Sequence, residues 1–227
     1  MSAGLAHASV PSDLRWNASI AEWLAGIFVA PPTADTVVSY RDAIGATLFE
    51  ALAEEPGCAA GAQRMRSALL SEGSAAAVAR QLAAAFTQLF DGVGGAKTAS
   101  LYESAYVGVS GRLFQAATGD MERLLRQSDV ATDDAFREPS DHLSIELALL
   151  AWSIRHGTDR QAQAALLDDH LLVWVPAFAD RCRQYDRTDF YAGAARVLTA
   201  FLTAQRATLP QRRTAKPRTG ETLCRSN

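Results

Sequence analysis

The stretch EPSDHLSIELALLAW, Glu138 to Trp152, decides how the rest of the chain is read. Leu143, Leu147, Leu150 and Ile154 recur at i, i+4, i+7 and i+11, the spacing of one apolar stripe along an α-helix. Ile145 and Trp152 fall on the opposite side, so this helix is apolar on two faces and needs neighbours on both. The expected helix spans Ser140–His156, with Pro139 marking its start. Asp141 then lies in the first turn, where a carboxylate meets the free helix amides favourably. His142, Glu146 and Ser153 align along one edge of the leucine stripe and are expected to be half-buried, each in need of a polar partner.

Working outward, helical periodicity recurs throughout and nothing alternates as a strand, so the fold class is all-α. Expected helices run from Ser12 to about Phe28, from Thr33 to the break at Pro56-Gly57, from Ala59 to Leu70 and from Ser74 to Phe90. The run DGVGGAKTAS, Asp91 to Ser100, holds three glycines in four positions and is read as a hinge. Beyond it, helices are expected over Tyr102–Leu113, Asp120–Gln127, Ser140–His156, Asp159–Asp186 and Thr188–Thr208. Pro176, inside DDHLLVWVPAF, should kink the second last of these. The chain thus divides into an N-terminal helical part (12–91), a hinge (92–100), a C-terminal helical part (101–208) and a tail (209–227).

Composition excludes several functions. The 227 residues are 48% apolar and 21% charged, the balance of a folded globular chain. Residues 207–227 carry Arg212, Arg213, Lys216, Arg218 and Arg225 against Glu221, which leaves the body near −7 and the tail near +4. An acidic body repels phosphate backbones, so no nucleic-acid partner is expected. The tail, poor in apolar anchors, is expected to be disordered and solvated. Three scattered cysteines form neither a CxxC pair nor an even disulfide set, which reads as reduced thiols in the cytoplasm. No secretory signal opens the sequence and no apolar run reaches a membrane span, so stable membrane insertion is not expected.

Four chemistries compete for the polar residues. GVGGAKT resembles a phosphate loop, but Ala96 separates Gly95 from Lys97 and no strand precedes it, so the loop reading wins. His142 and Glu146 stand one turn apart as two metal ligands could, yet the helix of His170 offers no matching pair. Adjacent helical residues point about 100° apart, so Asp141 cannot orient His142 as a triad aspartate would, and no nucleophile elbow is present. A helical enzyme or metal protein using Asp141, His142, Glu146 and His170 stays open as the alternative. Peptide recognition makes better use of LYESAYVG (101–108), with Tyr102, Glu103, Ser104 and Tyr106 following the glycines: aromatic walls and placed acids suit a basic, amphipathic segment.

Three stretches together resemble the TorD/DmsD family of molybdoenzyme maturation chaperones, the redox enzyme maturation proteins. EPSDHLSIEL is similar to the family's E-P-x-D-H-L-x-x-E-L signature, through Glu138, Pro139, Asp141, His142, Leu143, Glu146 and Leu147. HLLVWVPAF is similar to its later H-L-x-x-W-x-P-x-F motif, through His170, Leu171, Trp174, Pro176 and Phe178, and LYESAY resembles its aromatic segment. The resemblance implies a TorD-type helical bundle and a cytoplasmic chaperone with no catalytic group and no cofactor or metal of its own. It implies that the partner is the twin-arginine (Tat) signal peptide, with the apoprotein, of a molybdopterin-containing oxidoreductase. Binding would assist cofactor insertion and prevent premature export. On this basis Tyr102, Glu103, Ser104, Tyr106, Asp141, His142, His170 and Trp174 are the candidate peptide-binding residues. Glu138, Pro139, Glu146 and Pro176 are then structural motif positions. The family also admits a monomer or a domain-swapped dimer; the basic tail is not part of its pattern.

Overall fold

The computed structural model describes residues 12–92, 95–107, 116–130, 137–157 and 159–211. Ten α-helices occur among them: α1 (Ser12–Val29), α2 (Ala34–Arg41), α3 (Ala43–Glu54), α4 (Ala59–Leu69), α5 (Ala75–Phe90), α6 (Ala116–Gln127), α7 (Leu143–Arg155), α8 (Arg160–Leu166), α9 (Leu172–Tyr185) and α10 (Phe190–Thr208). No described residue belongs to a named strand, and the all-α fold class expected from the sequence is what the described residues form. No described helix is long and apolar enough to cross a membrane.

Several boundaries differ from the expectation for local reasons. The single helix expected from Thr33 to Pro56 is two, because Asp42 is extended and its carboxylate accepts from the Ile44 and Gly45 amides (2.8 and 3.1 Å), ending α2 and starting α3. Only glycine fits the resulting corner: a Cβ on Gly45 would lie 2.2 Å from the Tyr40 carbonyl oxygen. No helix begins at Tyr102; extended backbone there leads into one 3₁₀ turn, Glu103–Ala105. Residues 108–113 of that expected helix lie outside the described residues, as do 212–227 of the tail. The Ser140 helix starts three residues late, at Leu143, with His142 as its N-cap. Helices α8 and α9 form the expected long helix, joined through a π-helical turn, Leu167–Leu171. The backbone stays helical through Pro176, and the irregular turn lies just before α9.

The leucine stripe of α7 is buried as its two-faced pattern requires. Helix α1 packs along α7, and α10 packs on both α4 and α9, so elements from both halves of the sequence contribute to one core. Contact between α4 and α10 depends on Gly61 and Gly193, where an added Cβ would come within 2.7–2.8 Å of the other glycine's carbonyl oxygen. A chain of aromatic contacts runs through the interior, linking Phe28, Phe90 and Phe178 and reaching Trp174. In the glycine-rich segment Gly92 and Gly95 adopt left-handed backbone. After them the chain is tethered: Arg181 of α9 donates to the carbonyls of Ala96 (2.8 Å) and Thr98, and the Ala99 amide donates to Leu89 (2.7 Å). Cys58 and Cys182 are free, buried thiols.

Candidate peptide-binding site

The two quoted segments of the second half meet through a short antiparallel bridge between Tyr102 and His142. The Leu143 amide donates to the Leu101 carbonyl (2.8 Å), and the Glu103 amide donates to the Asp141 carbonyl (3.0 Å). Successive side chains of extended backbone point to opposite sides, so Tyr102 and Glu103 diverge. Each enters a different cleft, and the bridge is the wall between them.

Asp141 holds that wall together. Its carboxylate, fully removed from solvent, accepts from the Ser104 amide (3.0 Å) through Oδ2 and from the Thr118 hydroxyl of α6 (2.8 Å) through Oδ1. Nδ1 of His142 accepts from the Ser144 amide (3.2 Å), capping α7. Burial lowers the His142 pKa to about 4 against the opposing charges of Glu138 and Asp141, so the ring is neutral at pH 7. The His142 and Tyr102 rings meet in a T-shaped contact with centroids 5.1 Å apart. The sequence placed His142 and Glu146 on a half-buried edge; both are buried, as is Ser153: α1 packs along α7, Trp174 of α9 reaches Glu146 and Gln163 of α8 reaches the Ser153 carbonyl, while Ala148 and Arg155 of α7 stay exposed.

The first cleft, of about 390 Å³, is walled by Val29, Phe86, Phe90 and Leu101, with Asp91, Glu138, Tyr102 and His142 contributing polar groups. Val29 is nearly half exposed there, at 45%. Tyr102 donates its phenol proton to Glu138 Oε2 at 2.5 Å, and burial together with that bond raises its pKa.

The second cleft, of about 290 Å³, is lined by Glu103, Val107, Ala116, Ala117, Asp120, Asp169 and His170. His170 Nδ1 meets Glu103 Oε2 at 2.9 Å, with both side chains buried. Burial is the largest single influence and lowers the His170 pKa, but the bond and charge of Glu103 together with the charges of Asp120 and Asp169 outweigh it, and the net shift is upward. Beneath this pair the Trp174 indole donates to Glu146 Oε2 (3.3 Å) while its ring stacks on Tyr106 at 5.3 Å. Glu146 is driven well above the usual carboxyl range, by burial first and then by the charge of Glu103. With Oε2 accepting from Trp174, the retained proton serves the side-chain hydrogen bond between Glu146 and Glu103, which adds to the upward shift.

The eight candidate residues therefore gather in one region and divide by role. Tyr102 and His142 face the first cleft, Glu103 and His170 the second, and Ser104, Tyr106, Asp141 and Trp174 brace the wall. Glu138, expected to be structural, stands at the mouth of the first cleft. Asp141, His142, Glu146 and His170 do not converge on one open point, and among the described residues no three His, Cys, Asp or Glu side chains are placed to hold a metal ion. The sequence reading missed Thr118 and the wall from the first half, Val29, Phe86 and Phe90. No motif marks Thr118; a large apolar residue at the end of α1, just before Pro31-Pro32, was the one available signal for Val29.

Comparison with known proteins finds relatives of this chain. Residues 52–180 match the family described as nitrate reductase delta subunit. The Chaperone protein TorD of Photobacterium profundum is 30% identical over 196 residues, covering 82% of this chain and 90% of that protein. The protein of the same name from Vibrio cholerae (strain O395) is 31% identical over 197 residues, 82% of this chain and 88% of its own. That of Ferrimonas balearica is 30% identical over 203 residues, 84% and 91%.

Proposed function

The chain belongs to the family of the nitrate reductase delta subunit and TorD chaperones, as a chaperone and not an enzyme, and from that premise we propose that it serves molybdoenzyme maturation by binding a twin-arginine signal peptide in the first cleft. The observation that carries this reading is the pairing, in one cleft, of an apolar wall (Val29, Phe86, Phe90, Leu101) with the acids Asp91 and Glu138. A Tat signal presents two guanidinium groups followed by an apolar segment. Carboxylates pair with guanidinium through short, charge-assisted bonds, and the apolar segment lies against the aliphatic and aromatic wall. Blocking export until the client has received its cofactor needs only reversible binding, whose extent follows mass action. The same reading places the protein in the cytoplasm, with the molybdoenzyme apoprotein as its partner.

Calorimetry with leader peptides of candidate molybdoenzymes tests it. Binding in the micromolar range or tighter is expected, weakened at least tenfold by Glu138→Gln, which keeps an acceptor for the Tyr102 phenol and so changes the melting temperature little. If no such leader binds while an unrelated ligand does, or if the purified protein carries a stoichiometric, tightly held metal, the reading fails.

A further inference from the structure

We infer that the second cleft is a docking site for the basic C-terminal segment of this same chain, residues 212–227. The point where the described chain ends supports this. Helix α10 stops at Thr208, whose carbonyl accepts from Arg160, and Leu209 is buried. Arg206 then turns back. Its Nε meets Asp168 Oδ1 at 2.6 Å, and its Nη1 donates to the carbonyls of Leu209 and Pro210 (3.4 and 3.2 Å). One guanidinium thus fixes Pro210 against Asp168, inside the π-helical turn that also supplies Asp169 and His170 to the cleft.

Reach and charge agree with that placement. Arg213 lies three residues beyond Pro210 and Lys216 six, spans of up to about 10 and 20 Å for extended chain. The segment carries Arg212, Arg213, Lys216, Arg218 and Arg225 against Glu221. The cleft presents Asp120 and Asp169 at its mouth and the Glu103–His170 pair at its floor; Asp120 also meets Arg123 on the surface and Asp169 has an interaction of its own, so the segment would add to or exchange with existing contacts. Its apolar lining, Val107, Ala116 and Ala117, is small enough to admit the methylene stem of an arginine or lysine. Tethering raises the effective concentration of the segment to the millimolar range, so a contact too weak to persist between molecules is populated within one. This inference does not depend on what the first cleft binds.

Carbodiimide cross-linking of the intact chain tests it, because it joins lysine amines directly to carboxylates in contact. Lys97 and Lys216 are the only lysines, so products from the C-terminal segment are identified without ambiguity by peptide mass. A monomeric product joining Lys216 to Asp169 or Asp120 is expected. Its yield should fall at least tenfold in about 0.5 M salt, where exposed charges are screened, and in the Arg212→Ala/Arg213→Ala variant. Lys216 linked mainly to carboxylates elsewhere, linked only between two molecules, or not linked at all would overturn the inference.

Discussion

Replacing Asp141 separates a brace from a ligand contact. In Asp141→Ala two hydrogen bonds to a buried carboxylate disappear, and the Ser104 amide is left without its acceptor. Bonds to a charged group contribute about 1.5–3 kcal/mol each, while removing the carboxylate also relieves part of its desolvation, so a net loss of about 3–5 kcal/mol follows. In a chain of this length each kcal/mol moves the melting temperature by about 2–4 °C, giving a fall of about 6–20 °C. Asp141→Asn behaves differently: the amide oxygen accepts from Ser104, the amide nitrogen donates to Thr118, and the hydroxyl rotates to receive it. Its cost is about 1 kcal/mol or less. Calorimetric melting of parent and both variants, with leader affinity measured on each, provides the assay. An Ala variant melting within 2 °C of the parent would refute the bracing role. So would an Asn variant that melts normally yet loses leader binding, since Asp141 would then touch the ligand.

Three further outcomes follow from buried groups and close contacts. His142 titrates near 4 in the folded chain against its ordinary 6.5, so its stabilising effect is present above pH 6.5 and is lost as pH falls toward 4. His142→Asn, which keeps an N-cap acceptor, should flatten the urea midpoint over that window, and an unchanged slope would count against this assignment. Glu146 holds a proton that the unfolded chain releases above its ordinary 4.5, a penalty that grows with pH. Glu146→Gln retains an acceptor for Trp174 and should therefore stabilise more at pH 8 than at pH 5; equal effects in denaturation at the two pH values would contradict the raised pKa. Gly61→Ala forces a Cβ to 2.7 Å from the Gly193 carbonyl oxygen and should cost more than about 2 kcal/mol, whereas Gly119→Ala, with nothing within 4 Å, should gain about 0.5–1 kcal/mol, so melting shifts of opposite sign are expected.

The fold was legible where a single periodicity controls the outcome. The double-faced stripe of α7 identified a central helix, and proline and glycine placed most boundaries within a few residues. Departures arise where a side chain competes with backbone propensity. Asp42 caps strongly enough to split a helix that its apolar positions would have continued. Around Asp141, the expectation assigned the carboxylate to the nearest helix amides, while the folded chain gives it an amide from Ser104, 37 residues distant, and a hydroxyl from α6. Long-range pairing of this kind leaves no trace in local spacing. The site shows the same division: Tyr102, Glu103, Asp141, His142, His170 and Trp174 stand in motifs, while the apolar wall from α1 and α5 comes from sequence far away that looks like ordinary core.

The geometry also answers why a non-enzymatic chaperone keeps charged and polar residues where leucines would pack. Residues 101–106 belong to no helix longer than a single turn, so their position cannot follow from intrahelical bonding. Four nearly consecutive residues each fix a different point of that segment. Glu138 accepts from the Tyr102 phenol, Asp141 binds the Glu103 and Ser104 amides, the His142 ring meets Tyr102, and the Leu143 amide holds the Leu101 carbonyl. Apolar substitutes could fill the same volume but have no directional preference, and would leave the register of residues 101–106 against 138–143 unspecified. A buried polar network whose members are partnered specifies one arrangement. Here that arrangement is the wall dividing an aromatic cleft from an acidic one, so in the proposed function the motif serves ligand binding through the surface it holds in place.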